Sequence, residues 1–126
     1  MRVVSSDPRH VLGRLGEQRA LEHLERLGYA VVTRNHRTRF GEIDLIVRGE
    51  RALVFVEVKT RRARRPGAIW DALDERKRRQ VRQMARAFLH DEAPRPAAAE
   101  IRFDAIGVVI DDHGGLVRLD HLEAAF

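Results

Sequence analysis

The chain contains no cysteine, which excludes disulfides and thiolate metal sites and fits a cytoplasmic location. It also lacks a long apolar run. The longest glycine-free one, 52–56 (ALVFV), is far shorter than the ~20 residues that span a bilayer, so no membrane partner is expected. Residues 1–10 have no apolar segment, and a secretory signal is not expected there. The six histidines show no zinc-ligand spacing. Lysine is scarce, 2 against 22 arginines. No linker, repeat or low-complexity stretch divides the 126 residues, so one domain over 1–126 with its own core is expected.

The charge that is present is uneven. The net charge is +5, and residues 59–82 hold ten Lys or Arg against three Asp or Glu. Arginine makes bidentate contacts with phosphate, so a dense arginine tract points to a polyanion. A solvated basic face in an arginine-rich chain is the plainer alternative, and it would account for the tract alone.

The tract begins at the most informative segment, 52–59 (ALVFVEVK). Strand side chains alternate between faces. Val54, Val56 and Val58 point one way; Leu53, Phe55, Glu57 and Lys59 point the other. Charges on a strand that otherwise reads as core are costly unless paired or bound to something. The preceding strand, 42–48 (EIDLIVR), adds Asp44. A two-residue type II′ turn at Gly49-Glu50 sets Asp44 opposite Phe55 and diagonal to Glu57. A four-residue loop over 49–52 sets Asp44 directly opposite Glu57. Any even loop keeps both acids on one face. Two carboxylates and a lysine there suit a divalent cation and a phosphate.

Asp7 and Pro8 open a first helix that Gly28 ends. Glu17 lies within its apolar stripe of Ala20, Leu21, Leu24 and Leu27, flanked by Gly13 and Gly16, which admit a close neighbour. Residues 29–34 form a first strand, 35–41 a polar connection and 60–67 a basic loop suited to clamping phosphate. A second helix starts near Asp74 with a core stripe of Val81, Met84, Ala85, Phe88 and Leu89. Lys77 and Arg78 extend that stripe and are expected to snorkel to water in preference to reaching a phosphate. Strands follow at 100–110 and 116–120. Arg102 and Asp104 form a local ion pair, Asp111 and Asp112 a turn, and Trp70 fills core. The order α-β-β-β-α-β-β gives an α/β (α+β) chain, a mixed central sheet flanked by helices.

A Glu-x-Lys triplet is weak alone, and Glu75-Arg76-Lys77 repeats it without meaning. The apolar strand, Asp44 on the partner strand and Glu17 on a helix face favour a metal site over a structural Glu57–Lys59 pair. The segments 41–46 (GEIDLI), 55–61 (FVEVKTR) and Gly16-Glu17, with Arg102, Asp104 and the tail 122–126, resemble the YraN family of uncharacterised bacterial proteins. The resemblance implies a restriction-endonuclease-like fold with the PD-(D/E)xK signature, similar to Holliday-junction resolvases. It implies Asp44, Glu57 and Lys59 as the signature, Ile43 in place of its proline, and Glu17 as the extra helix acid of resolvases.

The combined expectation is a metal-dependent nuclease for structured or branched nucleic acid, DNA foremost. Glu17, Asp44, Glu57 and Lys59 would be its catalytic residues. Asp44, Glu57 and the Val58 carbonyl would hold Mg²⁺ or Mn²⁺, with Glu17 completing the shell. Arg61, Arg62, Arg64, Arg65, Lys77 and Arg78 would hold the nucleic acid. The similarity to resolvases also implies a homodimer. A non-catalytic nucleic-acid-binding module of the same fold and an adaptor with a basic face are the alternatives.

Overall fold

A computed structural model describes residues 7–64, 73–91 and 100–126. Arg65, Trp70, Asp71 and the Pro-containing stretches 65–67 and 93–97 lie outside the described residues. The elements are α1 (Pro8–Arg26), β1 (Ala30–Thr38), β2 (Gly41–Arg48), β3 (Ala52–Arg62), α2 (Glu75–Asp91), β4 (Glu100–Ile110) and β5 (Leu116–Leu122). The strands form one mixed sheet in sequence order. Only β3 and β4 run parallel, because α2 lies between them in sequence; the other neighbours are antiparallel.

The sheet is sandwiched. Ala20, Leu21 and Leu24 of α1 pack on Leu45, Val47, Val54, Val56, Ile106 and Val108. Val81, Met84, Ala85 and Phe88 of α2 pack on Ile46, Leu53 and Phe55 across the sheet. The strands β2 and β3 are apolar on both faces because a helix covers each. Asp7 caps α1 by accepting from the Arg9 N–H at 2.9 Å, and Gly28, at φ 95°, ends it. No described helix is long and apolar enough to cross a membrane.

Three local expectations need correction. Hairpin β2–β3 closes with the Gly49 N–H donating to the Ala52 carbonyl at 2.8 Å, which leaves Glu50 and Arg51 at the tip in place of Gly49 and Glu50. Gly49 is not among the positive-φ glycines, so it does not serve a type II′ turn; a Cβ on it would lie 2.8 Å from the Tyr29 ring. Second, β1 continues through residues read as a connection and stops at Thr38, with Asn35 held at φ 50°. Third, β3 runs through Arg62, because the parallel β4 pairs with it as far as Arg62↔Ile110. The basic segment therefore begins as strand.

Gly16 sets the closeness of α1 to β3. A Cβ there would fall 1.7 Å from Thr60 Oγ1 and 2.7 Å from Thr60 Cβ. Gly16→Ala is expected to destabilise the fold by about 1–3 kcal/mol as α1 lifts from the sheet. A urea midpoint equal to wild type would show that the helix is not seated by this contact.

Candidate metal centre

The β2–β3 register pairs Leu45 with Val56 and Ile46 with Phe55. The ladder ends at Leu45, with Asp44 the next residue of β2 and Glu57 the next residue of β3. Regular alternation stops at this point. Ile43 and Ile46 pack on the α2 side while Leu45 and Val47 pack on the α1 side, so the strand turns over at Asp44. In place of a backbone ladder bond, Asp44 Oδ2 accepts from the Val58 N–H at 2.8 Å. The atom of Val58 engaged here is its amide nitrogen. This turnover lets one carboxylate sense acids from both faces of the sheet.

Burial pushes Asp44 up to about 7, and the neighbouring Glu57 carboxylate pushes in the same direction. The Val58 N–H bond opposes the rise; Glu17 adds to it and Lys59 subtracts. A carboxyl raised by burial and by a neighbouring carboxylate leaves room for a proton or a cation. Glu57 is buried at 7% exposure and meets two ammonium groups, Lys77 Nζ at 3.0 Å and Lys59 Nζ at 3.4 Å. Both of the chain's lysines thus meet on one glutamate. Lys77, expected to snorkel, instead turns inward from α2.

Glu17 is half-buried on α1 and accepts from Asn35 Nδ2 at 2.9 Å. It is near enough to bear on Asp44. Among the described residues, however, no three His, Asp or Glu side chains close on a point that could hold a metal. The donor set that remains is Asp44 with Glu57, both oxygen donors. That fits Mg²⁺ or Mn²⁺ keeping most of its water in preference to a fully caged ion.

The basic residues divide. Arg61 and Arg62 end β3 half-buried, and with Arg9 they line a cavity of about 360 Å³. Arg64 pairs with Asp112 at 3.5 Å, and Arg78 is exposed on α2.

A polar network beside the site was only half legible. Asp104, fully buried, accepts from Arg102 Nε and Nη2 at 2.8 Å each. It also meets His121 Nε2 at 2.7 Å and the Ala124 N–H at 3.1 Å. His121 Nδ1 lies 3.0 Å from His23 Nε2, and Arg102 donates to the Tyr29 hydroxyl at 2.7 Å. Burial alone would raise Asp104; the bonds from His121, Arg102 and Ala124 outweigh it and hold the carboxyl below its usual range. Burial and the charge of His121 lower His23. The Arg102–Asp104 pair is the expected one. His23 and His121 come from α1 and β5, and no local pattern announced them. The saturation of Asp104 marks it as a clamp that ties α1, β4 and β5 together.

Residues 16–108 match the family described as Uncharacterised protein family UPF0102. A UPF0102 protein of Pelotomaculum thermopropionicum is 38% identical over 121 residues, covering 96% of this chain and 99% of that protein. One from Herpetosiphon aurantiacus is 37% identical over 121 residues, 94% and 96% respectively. One from Frankia alni is 41% identical over 115 residues, 91% and 93%. The match covers Glu17, Asp44, Glu57, Lys59 and the Arg102–Asp104 pair alike, and the chain belongs to the UPF0102 family.

Proposed function

We propose that this protein is a divalent-metal-dependent endonuclease-like domain that acts on structured or branched nucleic acid. The observation that carries the reading is Asp44, a half-buried carboxyl raised to about 7 beside the Glu57 carboxylate, with Lys59 and Lys77 at hand on an arginine-rich chain. Asp44 and Glu57 would hold Mg²⁺ or Mn²⁺, and Glu17 would orient a water through the polar cluster it shares with Asn35. When bound, the ion supplies charge neutralisation at the phosphate and makes a coordinated water more acidic. Lys59 stabilises charge on the scissile phosphate. Lys77 holds Glu57 in place from α2. Contacts from arginine to backbone phosphate position the substrate without reading sequence. DNA is the proposed partner, and two cuts on a branched substrate would call for a homodimer.

One feature favours a second reading. Glu57 already has two lysine partners, and no three-acid cluster closes among the described residues. A nucleic-acid-binding module of the same fold, without hydrolysis, fits that arrangement.

A cleavage assay on duplex, single-stranded, flap and four-way substrates with Mg²⁺ or Mn²⁺ separates the two. The expected result is cleavage of at least one branched substrate, with Lys59→Ala slower by about 10²-fold or more. Salt-sensitive binding with no product from any substrate would establish the binding module instead.

A further inference from the structure

The outer face of α2 carries a stripe that the acid site does not use. Arg76, Arg79, Gln83, Arg86 and His90 are all exposed and recur at intervals of three and four, one side of a helix. At 1.5 Å per residue the stripe is about 21 Å long, the length of about six stacked nucleotides. It faces a groove. One part, about 880 Å³, lies between α2 and the β1–β2 turn and is lined by Arg37, Arg39, Phe40, Gln83, Arg86 and others. The other, about 550 Å³, continues along α2 past Arg76, Lys77, Arg79 and Gln80. Gln83 lines both parts.

Three properties identify what the groove suits. It is cationic: Arg76, Arg79 and Arg86 have no carboxylate partner among the described residues, Arg37 has a loose one in Glu42 at 3.7 Å, and Asp74 is the one acid among its described lining residues. It contains a flat platform, because the Arg39 guanidinium lies 4.7 Å over the Phe40 ring and Arg39 is itself exposed. It also leads to the acids. Gln80 Nε2 donates to the Phe40 carbonyl at 2.8 Å, Lys77 Nζ donates to Gln80 Oε1 at 3.3 Å, and Lys77 meets Glu57 at 3.0 Å. A continuous hydrogen-bonded floor therefore runs from the platform to the carboxylates.

We infer that this groove binds a single-stranded segment of nucleic acid and leads it to Glu57. Phosphates lie along Arg76, Arg79 and Arg86, and a base stacks on the Arg39–Phe40 platform. Arginine spaced along a concave track with one stacking surface is how single strands are held without sequence readout. A smooth duplex offers phosphates but no free base face. Branched and flapped substrates supply both a duplex and a single strand, so the inference rests on the nucleic-acid reading above and narrows it.

The test is fluorescence anisotropy with a labelled single-stranded oligonucleotide and a blunt duplex of equal length, over a series of salt concentrations. The proteins are wild type, Arg79→Ala/Arg86→Ala and Arg39→Lys. These side chains are exposed, so the variants fold. Wild type should bind the single strand more tightly than the duplex. Removing two phosphate contacts should weaken single-strand binding by about tenfold at low salt and flatten the log–log salt slope by about 1.4. Arg39→Lys keeps the charge and loses the planar stack, so it should leave the salt slope unchanged while erasing the preference for the single strand. Wild-type binding matched by Arg79→Ala/Arg86→Ala in affinity and slope would overturn the groove and leave the nucleic-acid reading standing. An unaltered preference in Arg39→Lys would overturn the stacking platform. No binding of either oligonucleotide by wild type would overturn both the groove and the proposed function.

Discussion

Asp44→Asn should make the metal-free protein more stable at pH 8, by on the order of 2–4 kcal/mol, and leave it close to wild type at pH 4. The unfolded carboxyl titrates near 3.8 and the folded one at about 7. Between those values the folded chain retains a proton that the unfolded chain has released. Stability contributed by this group is therefore fully present below pH 3.8, falls as pH rises through the window and levels off above 7. Asparagine cannot ionise, and its carbonyl oxygen can still accept from the Val58 N–H that Asp44 engages at 2.8 Å. The fall between pH 4 and 7 contributed by Asp44 should thus be absent from the variant, so the difference between variant and wild type grows across that window, read by urea unfolding in EDTA at a series of pH values. Added Mg²⁺ should raise the unfolding temperature of wild type and not that of Asp44→Asn. Glu57→Gln should behave differently. It relieves Asp44 but leaves Lys59 and Lys77 without the carboxylate they share at 3.4 and 3.0 Å, and this loss opposes any gain.

Asp104→Ala should lose about 3–5 kcal/mol, the largest loss among these substitutions. It would leave His121, at 9% side-chain exposure, facing a vacated site, and Arg102, tucked in at 18%, with only the exposed Glu123 carboxylate at 3.7 Å. Removing one partner of a buried ion pair costs more than the pair contributes, because a desolvated charge remains. The same substitution takes the anchor from His121 and so from His23 on α1. Thermal unfolding should show the loss at pH 7, and it should shrink in acid as the wild-type carboxyl is protonated, since the group is held below its usual range. A variant within about 1 kcal/mol of wild type would show that the network only occupies a polar gap.

The contrast between Asp44 and Asp104 separates two kinds of buried acid. Asp104 is satisfied on all sides by two bonds from Arg102, one contact with His121 and one backbone amide. Among the described residues Asp44 has one donor, the Val58 N–H, and acids among the groups that act on it. Structural carboxylates are saturated by donors; those left to accept a cation are not.

Local pattern carried much of this into the sequence. Alternation in β3 put Glu57 and Lys59 on one face, and the even hairpin put Asp44 with them. The 3.6-residue period set Glu17 beside α1's buried stripe, and the order of elements fixed a mixed sheet between two helices. The misses arose where one residue's role depends on distant ones. Gly49 was read as a turn residue because glycine favours turns, yet it makes room for Tyr29. Lys77 sits at a stripe position that usually snorkels, and only the packing of α2 against β3 brings it to Glu57. The turnover of β2 at Asp44, by which the site draws on both faces, has no sequence mark. His23 and His121 are 98 residues apart, beyond any periodicity, and Asn35 met Glu17 only because β1 ran longer than its β-branched core suggested.

The most direct test of the paired-carboxylate site is Mn²⁺ binding followed by the electron paramagnetic resonance signal of the free ion, at pH 8, for wild type and Asp44→Asn. Wild type should remove Mn²⁺ from solution with a saturable site, binding more weakly as the pH falls below 7 and a proton competes at Asp44. Asp44→Asn should leave the free signal as it is in buffer. Equal uptake by both proteins, or none by wild type, would contradict a cation held by Asp44 and Glu57.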